Sequence, residues 1–341
     1  MNGQAIVFES VGKVGLREYE VPQLTERDVL AETVVSAVSA GTERWAFIGK
    51  RKELTFPNVP GYMAIARVTH VGTEAKSRGY AEGQFINLSR ARIPEPLASN
   101  SWMGSHLSHA VVDVCVPPWQ PGGFNGMHVE RLPSGLDMMQ ASLTQLASVA
   151  LRGIEMATVP MGATVLICGL GVIGLYATQI CRLKGAIVTA TDVIPSRLKL
   201  AAQYGAQHVV DGSKEDLAAR SREIEPQGYD IIIDTSSIPA VVNGLFPLLK
   251  LWGKFVFQGW YPPPSAFDFN ALHLRMATCY VPCGHSGRGT AAAMAWAAEG
   301  KLDTKSMISH VVAPAECKSI YELLADGSQE LLGAVFDWTK L

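Results

Sequence analysis

The chain has 341 residues, enough for two domains that each bury a core of their own. Charged residues make up 18% of it and the formal net charge is −2, which excludes the electrostatic footprint expected of a nucleic-acid or acidic-membrane binder. Hydrophobic residues reach 48%, yet the apolar runs stop well short of the roughly 18 residues needed to cross a bilayer. The opening MNGQAIVFES shows no basic stretch leading into an apolar one, so no signal peptide is expected. Six cysteines (Cys115, Cys168, Cys181, Cys279, Cys283 and Cys317) are scattered without a C-x-x-C pair. Reduced thiols in a cytoplasmic protein are therefore expected, with neither a disulfide framework nor a structural zinc site.

In chain order, alternating runs at 4–9, 14–19, 29–39 and 64–71 predict strands, with Gly61, Gly72, Gly79 and Gly83 marking turns and loops. The first 130 residues thus read as a β-rich module. Residues 138–159 are apolar on a helical period and carry the chain into a second module. There strands alternate with helices to about residue 282, with 229–234 and 253–259 among the strands. That alternation predicts a doubly wound parallel sheet. An amphipathic helix near 320–324 and an apolar segment at 332–338 close the chain.

The most informative stretch is 163–192, ATVLICGLGVIGLYATQICRLKGAIVTATD. A short apolar strand, 164–168, runs into GLGVIG, with Gly169, Gly171 and Gly174 in G-x-G-x-x-G spacing around Val172 and Ile173. Gly169 permits a tight turn, Gly171 lets the backbone approach a pyrophosphate, and Gly174 lets the helix pack closely on the strand. The N–H groups and dipole of the helix N-terminus face the phosphates. Asp192, eighteen residues after Gly174, stands where a carboxylate accepts hydrogen bonds from ribose hydroxyls and repels the extra phosphate of NADP. The cofactor expected is NAD.

A β-rich module, a GLGVIG Rossmann unit and a short tail, in that order, resemble the medium-chain dehydrogenase/reductase superfamily over essentially the whole chain. The resemblance includes Gly41-Thr-Glu43, the turn VPGY at 59–62 and the tail GKLDTKSMISH at 300–310. It implies an α/β protein with a GroES-like N-terminal domain (residues 1–135 and 300–341) and a Rossmann domain (136–299). It also implies a hydride transfer in the cleft between them. Arg197 matches the basic residue that accompanies the acid in NAD-using members. Ser148 matches a hydroxyl near the nicotinamide, and Gly259 a turn whose backbone meets its carboxamide. The family commonly dimerises through the edge strand of the Rossmann sheet, here near 278–283, so a homodimer is expected.

Zinc-dependent members hold a catalytic metal with a Cys, a His-Glu pair and a later Cys or acid. The matching positions here are Ala40, Tyr62 with Met63, and Thr144. None is a good zinc ligand, and the loop with four close cysteines is absent, so a zinc-free member with no metal site is expected. SAVSAGTERW and FPNVPGY are similar to the branch containing hydroxyethyl bacteriochlorophyllide dehydrogenase.

Without zinc, side chains must polarise the substrate oxygen and carry the proton. Tyr62 either donates to a carbonyl oxygen or packs on its turn with its hydroxyl at the surface. Glu43, beside Thr42, either orients Tyr62 or a substrate hydroxyl, or pairs with Arg44 or Arg67. His285 is ranked above His106 and His109 as a proton carrier, the latter two reading as structural. Ser148 has a water-facing alternative. Trp45, Phe47, Trp102, Trp260 and Tyr261 either wall a pocket for a ring-bearing substrate or pack in the core. The activity expected is interconversion of a secondary alcohol, such as a sugar or cyclitol, and its ketone. An enone or quinone reductase and a non-catalytic dinucleotide-binding protein are the alternatives.

Overall fold

A computed structural model describes residues 1–94, 97, 103–115 and 129–341. Trp102 lies outside them. The chain opens with a hairpin, β1 (Asn2–Ser10) and β2 (Lys13–Glu20), turned at Gly12. The buried strand β3 (Asp28–Val38) passes through Ser39 directly into helix α1 (Ala40–Phe47). Then come β4 (Ala64–Val71), the short helix α2 (Thr73–Ser77), β5 (Phe85–Leu88), β6 (His109–Asp113), β7 (Val129–Arg131) and helix α3 (Met138–Ala157).

From there strands and helices alternate. β8 (Thr164–Cys168), α4 (Val172–Leu183), β9 (Ile187–Asp192), α5 (Pro195–Gln203) and β10 (His208–Asp211) come first. They are followed by α6 (Leu217–Ile224), β11 (Tyr229–Asp234), α7 (Pro239–Leu245) and β12 (Leu249–Phe257). Helix α8 (Phe269–Leu274), β13 (Thr278–Tyr280) and α9 (Gly287–Ala298) complete the run. The tail adds β14 (Ile308–Val312), α10 (Cys317–Asp326) and β15 (Gly333–Asp337).

The chain divides into two compact units. One comprises residues 1–145, 290–299 and 304–341, the other 146–289 and 300–303. In the first, a sheet runs β14-β15-β3-β4-β5-β7, with β6 also on β3. Its pairs are antiparallel except β14–β15. The tail enters this sheet because β15 pairs with β3, Phe336 opposite Ser36. Fully buried side chains such as Ile65, Ile86 and Phe336 hold the layer together, each contributing about 2 kcal/mol by leaving water. In the second unit six parallel strands run β10-β9-β8-β11-β12-β13. β8 and β11 are buried along nearly their whole length, as a sheet covered on both faces requires. The strand order reverses between β8 and β11, the place where such sheets bind nucleotides.

Gly41–Glu43, directly after β3, forms the first part of α1. Glu43 folds back so that its Oε1 accepts the backbone N–H of Ser39 at 2.7 Å, satisfying a donor that the helix start would otherwise leave unpaired. All six cysteines are free thiols, and among the described residues no helix is long and apolar enough to cross a membrane.

Candidate functional site

In the first unit the junction of β3 and α1 sets the chemistry. Ser39 caps the helix, and its Oγ lies 2.5 Å from the Tyr62 phenol oxygen. The Thr42 hydroxyl, in the first turn of α1, also bonds to that oxygen. Tyr62 is 8% exposed, and burial pushes its pKa above the ordinary phenol value. The two hydroxyls and the positive charge of Arg51 act against that rise. The phenol is therefore neutral at working pH and carries a proton to give. Its backbone is fixed from α3, where Gln145 Nε2 donates to the Tyr62 carbonyl at 2.7 Å.

Behind this cluster Glu43 is fully buried. Its Oε2 accepts from Tyr321 at 2.6 Å and lies 3.2 Å from His106 Nε2. His106 Nδ1 is 2.7 Å from Ser36 Oγ, which in turn accepts the Trp338 indole N–H at 2.8 Å. The pairing alternative for Glu43 is thus corrected: it does not pair with Arg44, which bonds to the Ala325 carbonyl, or with Arg67, which bonds to Glu32. It sets the helix start that carries Ser39. His106 is the structural histidine, held between Ser36 and Glu43.

In the second unit Gly169 turns at φ +86°, and a Cβ there would sit 2.8 Å from Ser236 N. Thr235 Oγ1 donates to the Gly169 carbonyl at 2.6 Å, so the loops after β8 and β11 clasp each other. Gly171 caps α4. Nothing lies within 4 Å of where its Cβ would be. Val172, Ile173 and Gly174 form the first turn of α4. Asp192 ends β9, and its Oδ2 accepts Leu170 N at 2.5 Å while Oδ1 accepts Val193 N at 2.7 Å and Ile194 N at 3.0 Å. Burial draws the Arg197 guanidinium below its usual pKa, and the Asp192 charge opposes that fall.

The remaining expected residues are also placed. Ser148 is 1% exposed, which corrects the water-facing reading. Its Oγ donates to the Ser286 carbonyl at 3.1 Å and accepts Ser286 N at 3.2 Å. His285, next in the chain, has its carbonyl bonded by Arg152 at 3.3 Å. The amide of Gly259 donates to the Asp234 carbonyl at 3.1 Å, and a side chain at 259 would meet Ser237 Oγ at 2.3 Å.

The aromatic wall is corrected in part. Phe47 is buried, 5.3 Å from Phe8 and 5.5 Å from Tyr321 ring to ring. Trp45 lies beneath the Arg44 guanidinium, 5.3 Å from its centroid. Tyr261 packs on Phe257 and Phe267, with its OH on Asp234.

Sequence reasoning passed over Ser39 and Asp234. Asp234 is fully buried at the carboxyl end of β11 and accepts from Tyr261, Ser236 and the Ser237 amide. A carboxylate closing an apolar strand at the sheet's reversal point was the signal for it. Ser39 has only its place, one residue before the matched zinc position.

The donor set at the zinc-matching positions does not fit the metal. Ala40 offers no donor atom, the Tyr62 oxygen is held by hydroxyls, and Thr144 donates to the Ala141 carbonyl at 2.6 Å. Among the described residues no group of three or more His, Cys, Asp or Glu side chains is arranged to hold a metal ion.

Residues 172–299 match the zinc-binding dehydrogenase family. Over 207 residues the chain is 30% identical to the zinc-type alcohol dehydrogenase-like protein YdjJ of Escherichia coli (strain K12), an alignment covering 60% of this chain and 59% of that protein. It is 25% identical, over 99% of both chains, to L-threonine 3-dehydrogenase of Rhizobium rhizogenes. In fold it is similar to an Escherichia coli oxidoreductase/dehydrogenase involved in membrane biogenesis. There the TM-score is 0.85 with 22% identity over 99% of each chain. With its antiparallel β-rich unit and six-stranded Rossmann sheet, the chain has the fold of these dehydrogenases, and its second unit carries the match to the zinc-binding dehydrogenase family.

Proposed function

We propose that this oxidoreductase works without zinc, prefers NAD to NADP, and interconverts a secondary alcohol and its ketone. The observation that carries the reading is the buried, neutral Tyr62 phenol, bonded to Ser39 and Thr42 where zinc-dependent relatives place a metal ligand. The nicotinamide, when bound, supplies or accepts the hydride. In ketone reduction Tyr62 O–H donates to the substrate oxygen as negative charge develops there. As the phenol gives its proton, the Ser39 or Thr42 hydroxyl passes its own proton to the phenol oxygen and is reprotonated from solvent through the half-buried Thr42, so neither phenolate nor alkoxide accumulates. In the reverse direction the alcohol proton passes to the phenol oxygen while the phenol proton leaves through the same hydroxyls to solvent. Glu43 acts through the backbone of Ser39 and holds the relay in register. The preference for NAD rests on Asp192, whose carboxylate closes the place where a 2′-phosphate would sit.

The test is NADH formation from NAD across polyols, sugars and cyclic secondary alcohols, with and without a chelator. Turnover that resists the chelator and is weaker with NADP is the expected result. Turnover abolished by the chelator would overturn the zinc-free reading. NADPH-driven reduction of enones with no alcohol turnover would replace the reaction.

The same reading includes a homodimer through β13, the edge strand of the Rossmann sheet. Trp252, Leu274 and Val281 are each more than 70% exposed. The Trp252 amide bonds to the Arg275 carbonyl, beside Leu274, and Val281 directly follows β13. Large apolar side chains beside an open strand edge are what a second copy covers. Trp252→Glu is expected to halve the mass measured by light scattering at micromolar concentration. An unchanged mass would remove the edge from the interface.

A further inference from the structure

We propose that the substrate of the proposed alcohol–ketone reaction carries an anionic group, a carboxylate or a phosphate, and that Arg90 binds it. Arg90 follows β5 in the unit that holds Tyr62. It is half-buried, and it makes no hydrogen bond or ion pair with any described residue. Its neighbours in the unit behave otherwise. Arg27 reaches Asp113, Arg51 reaches Glu53, Arg67 reaches Glu32, and Arg92 reaches the buried Asp28. Burial draws the Arg90 guanidinium below its usual pKa, and among the described residues no carboxylate acts to restore it. A partly desolvated cation without a partner costs free energy in the empty protein. That cost is recovered when a ligand supplies the counter-charge.

The backbone ties Arg90 to the candidate site. Ala91 N donates to the Gly104 carbonyl at 3.0 Å, and Gly104 N donates to the Gly61 carbonyl at 2.7 Å, immediately before Tyr62. The Arg90 stem crosses Gly104, its Cγ 3.7 Å from where a Cβ on that glycine would be. The preceding residue, Ser89, bonds to Gln145, which also holds the Tyr62 carbonyl. Two separate hydrogen-bonded paths thus tie the Arg90 backbone to the backbone that carries Tyr62. Arg51 adds positive charge felt by the same phenol. The guanidinium fork matches a carboxylate or a phosphate through two parallel hydrogen bonds. A hydroxy acid or a phosphorylated polyol, with its reacting hydroxyl at Tyr62, has the required chemistry.

The experiment has a binding arm and a turnover arm on the full chain. Thermal unfolding is followed with inorganic phosphate or malonate against chloride at equal ionic strength. The wild type, R90Q, R90K and the half-exposed control R67Q are compared. The wild type and R67Q are expected to be stabilised by one of the two anions, R90K partly, and R90Q not at all. Which anion acts separates phosphate from carboxylate. In the turnover arm, the kcat/KM of an anionic alcohol over that of its neutral counterpart is expected to fall about 10- to 100-fold in R90Q, chiefly through KM. Stabilisation by neither anion, or equal stabilisation of R90Q and wild type, would overturn the proposal. Arg90-dependent anion binding with no turnover of any alcohol would retain the anion site and reject the alcohol–ketone reading. Turnover of neutral alcohols without Arg90-dependent binding would do the reverse.

Discussion

Tyr62→Phe is expected to lower kcat by about 10²- to 10⁴-fold, or about 3–5 kcal/mol of transition-state stabilisation, with KM changed far less. The substitution keeps the ring that packs on the VPGY turn and removes only the oxygen shared with Ser39 and Thr42. Those two hydroxyls lose one partner, which costs about 1 kcal/mol of stability and leaves the fold intact. Kinetics and thermal unfolding on the same preparation separate the roles. A kcat within threefold of wild type, with a lowered Tm, would make Tyr62 a packing residue and end the proposed mechanism. Ser39→Ala provides the graded comparison. It removes one relay hydroxyl but leaves the Ser39 amide on Glu43, so its kcat is expected between those of the wild type and Tyr62→Phe.

The two halves of the molecule were not equally legible. The Rossmann unit could be read because its rules are local. Strand 164–168, the three glycines and Asp192 fall within thirty residues, and each has a role set by backbone geometry. The first unit obeys contacts between distant positions. Glu43 meets His106 across 63 positions and Tyr321 across 278, and Ser36 meets Trp338 across 302. Nothing near Glu43 in the sequence shows that its carboxylate faces a histidine, a tyrosine and a helix start instead of Arg44. Arg90 was equally hidden, since the stretch NLSRARIP gives both of its arginines the same appearance. Only the fold gives Arg92 a partner in Asp28 and leaves Arg90 with none among the described residues. Tyr62 could be singled out only through the family resemblance that aligned it with a metal ligand.

Gly174→Ala and Gly171→Ala are expected to fail in opposite ways, although both lie in the same six-residue motif. A Cβ on Gly174 would stand 1.9 Å from the Gly169 carbonyl oxygen and 2.9 Å from Thr235 Oγ1. The first contact is with backbone, so either α4 must move off β8 or the Gly169 turn must open. Both distort the clasp between the loops after β8 and β11. Overpacking of this kind costs about 1–3 kcal/mol, and here more, because no flexible side chain can yield. Gly174→Ala is therefore expected to lower Tm without cofactor and to weaken NADH binding by about 100-fold or more. At Gly171 the added methyl meets nothing within 4 Å, and φ is −65°, which any residue adopts. The unliganded protein should be as stable as wild type, yet the methyl occupies the space through which a pyrophosphate approaches the start of α4. Its NADH affinity should fall while its Tm without cofactor stays put. Calorimetric titration with NADH and unfolding scans of both variants read the two effects independently. Unweakened NADH binding in Gly171→Ala would mean that the pyrophosphate does not pass over this glycine, and the helix N-terminus would lose its assigned role.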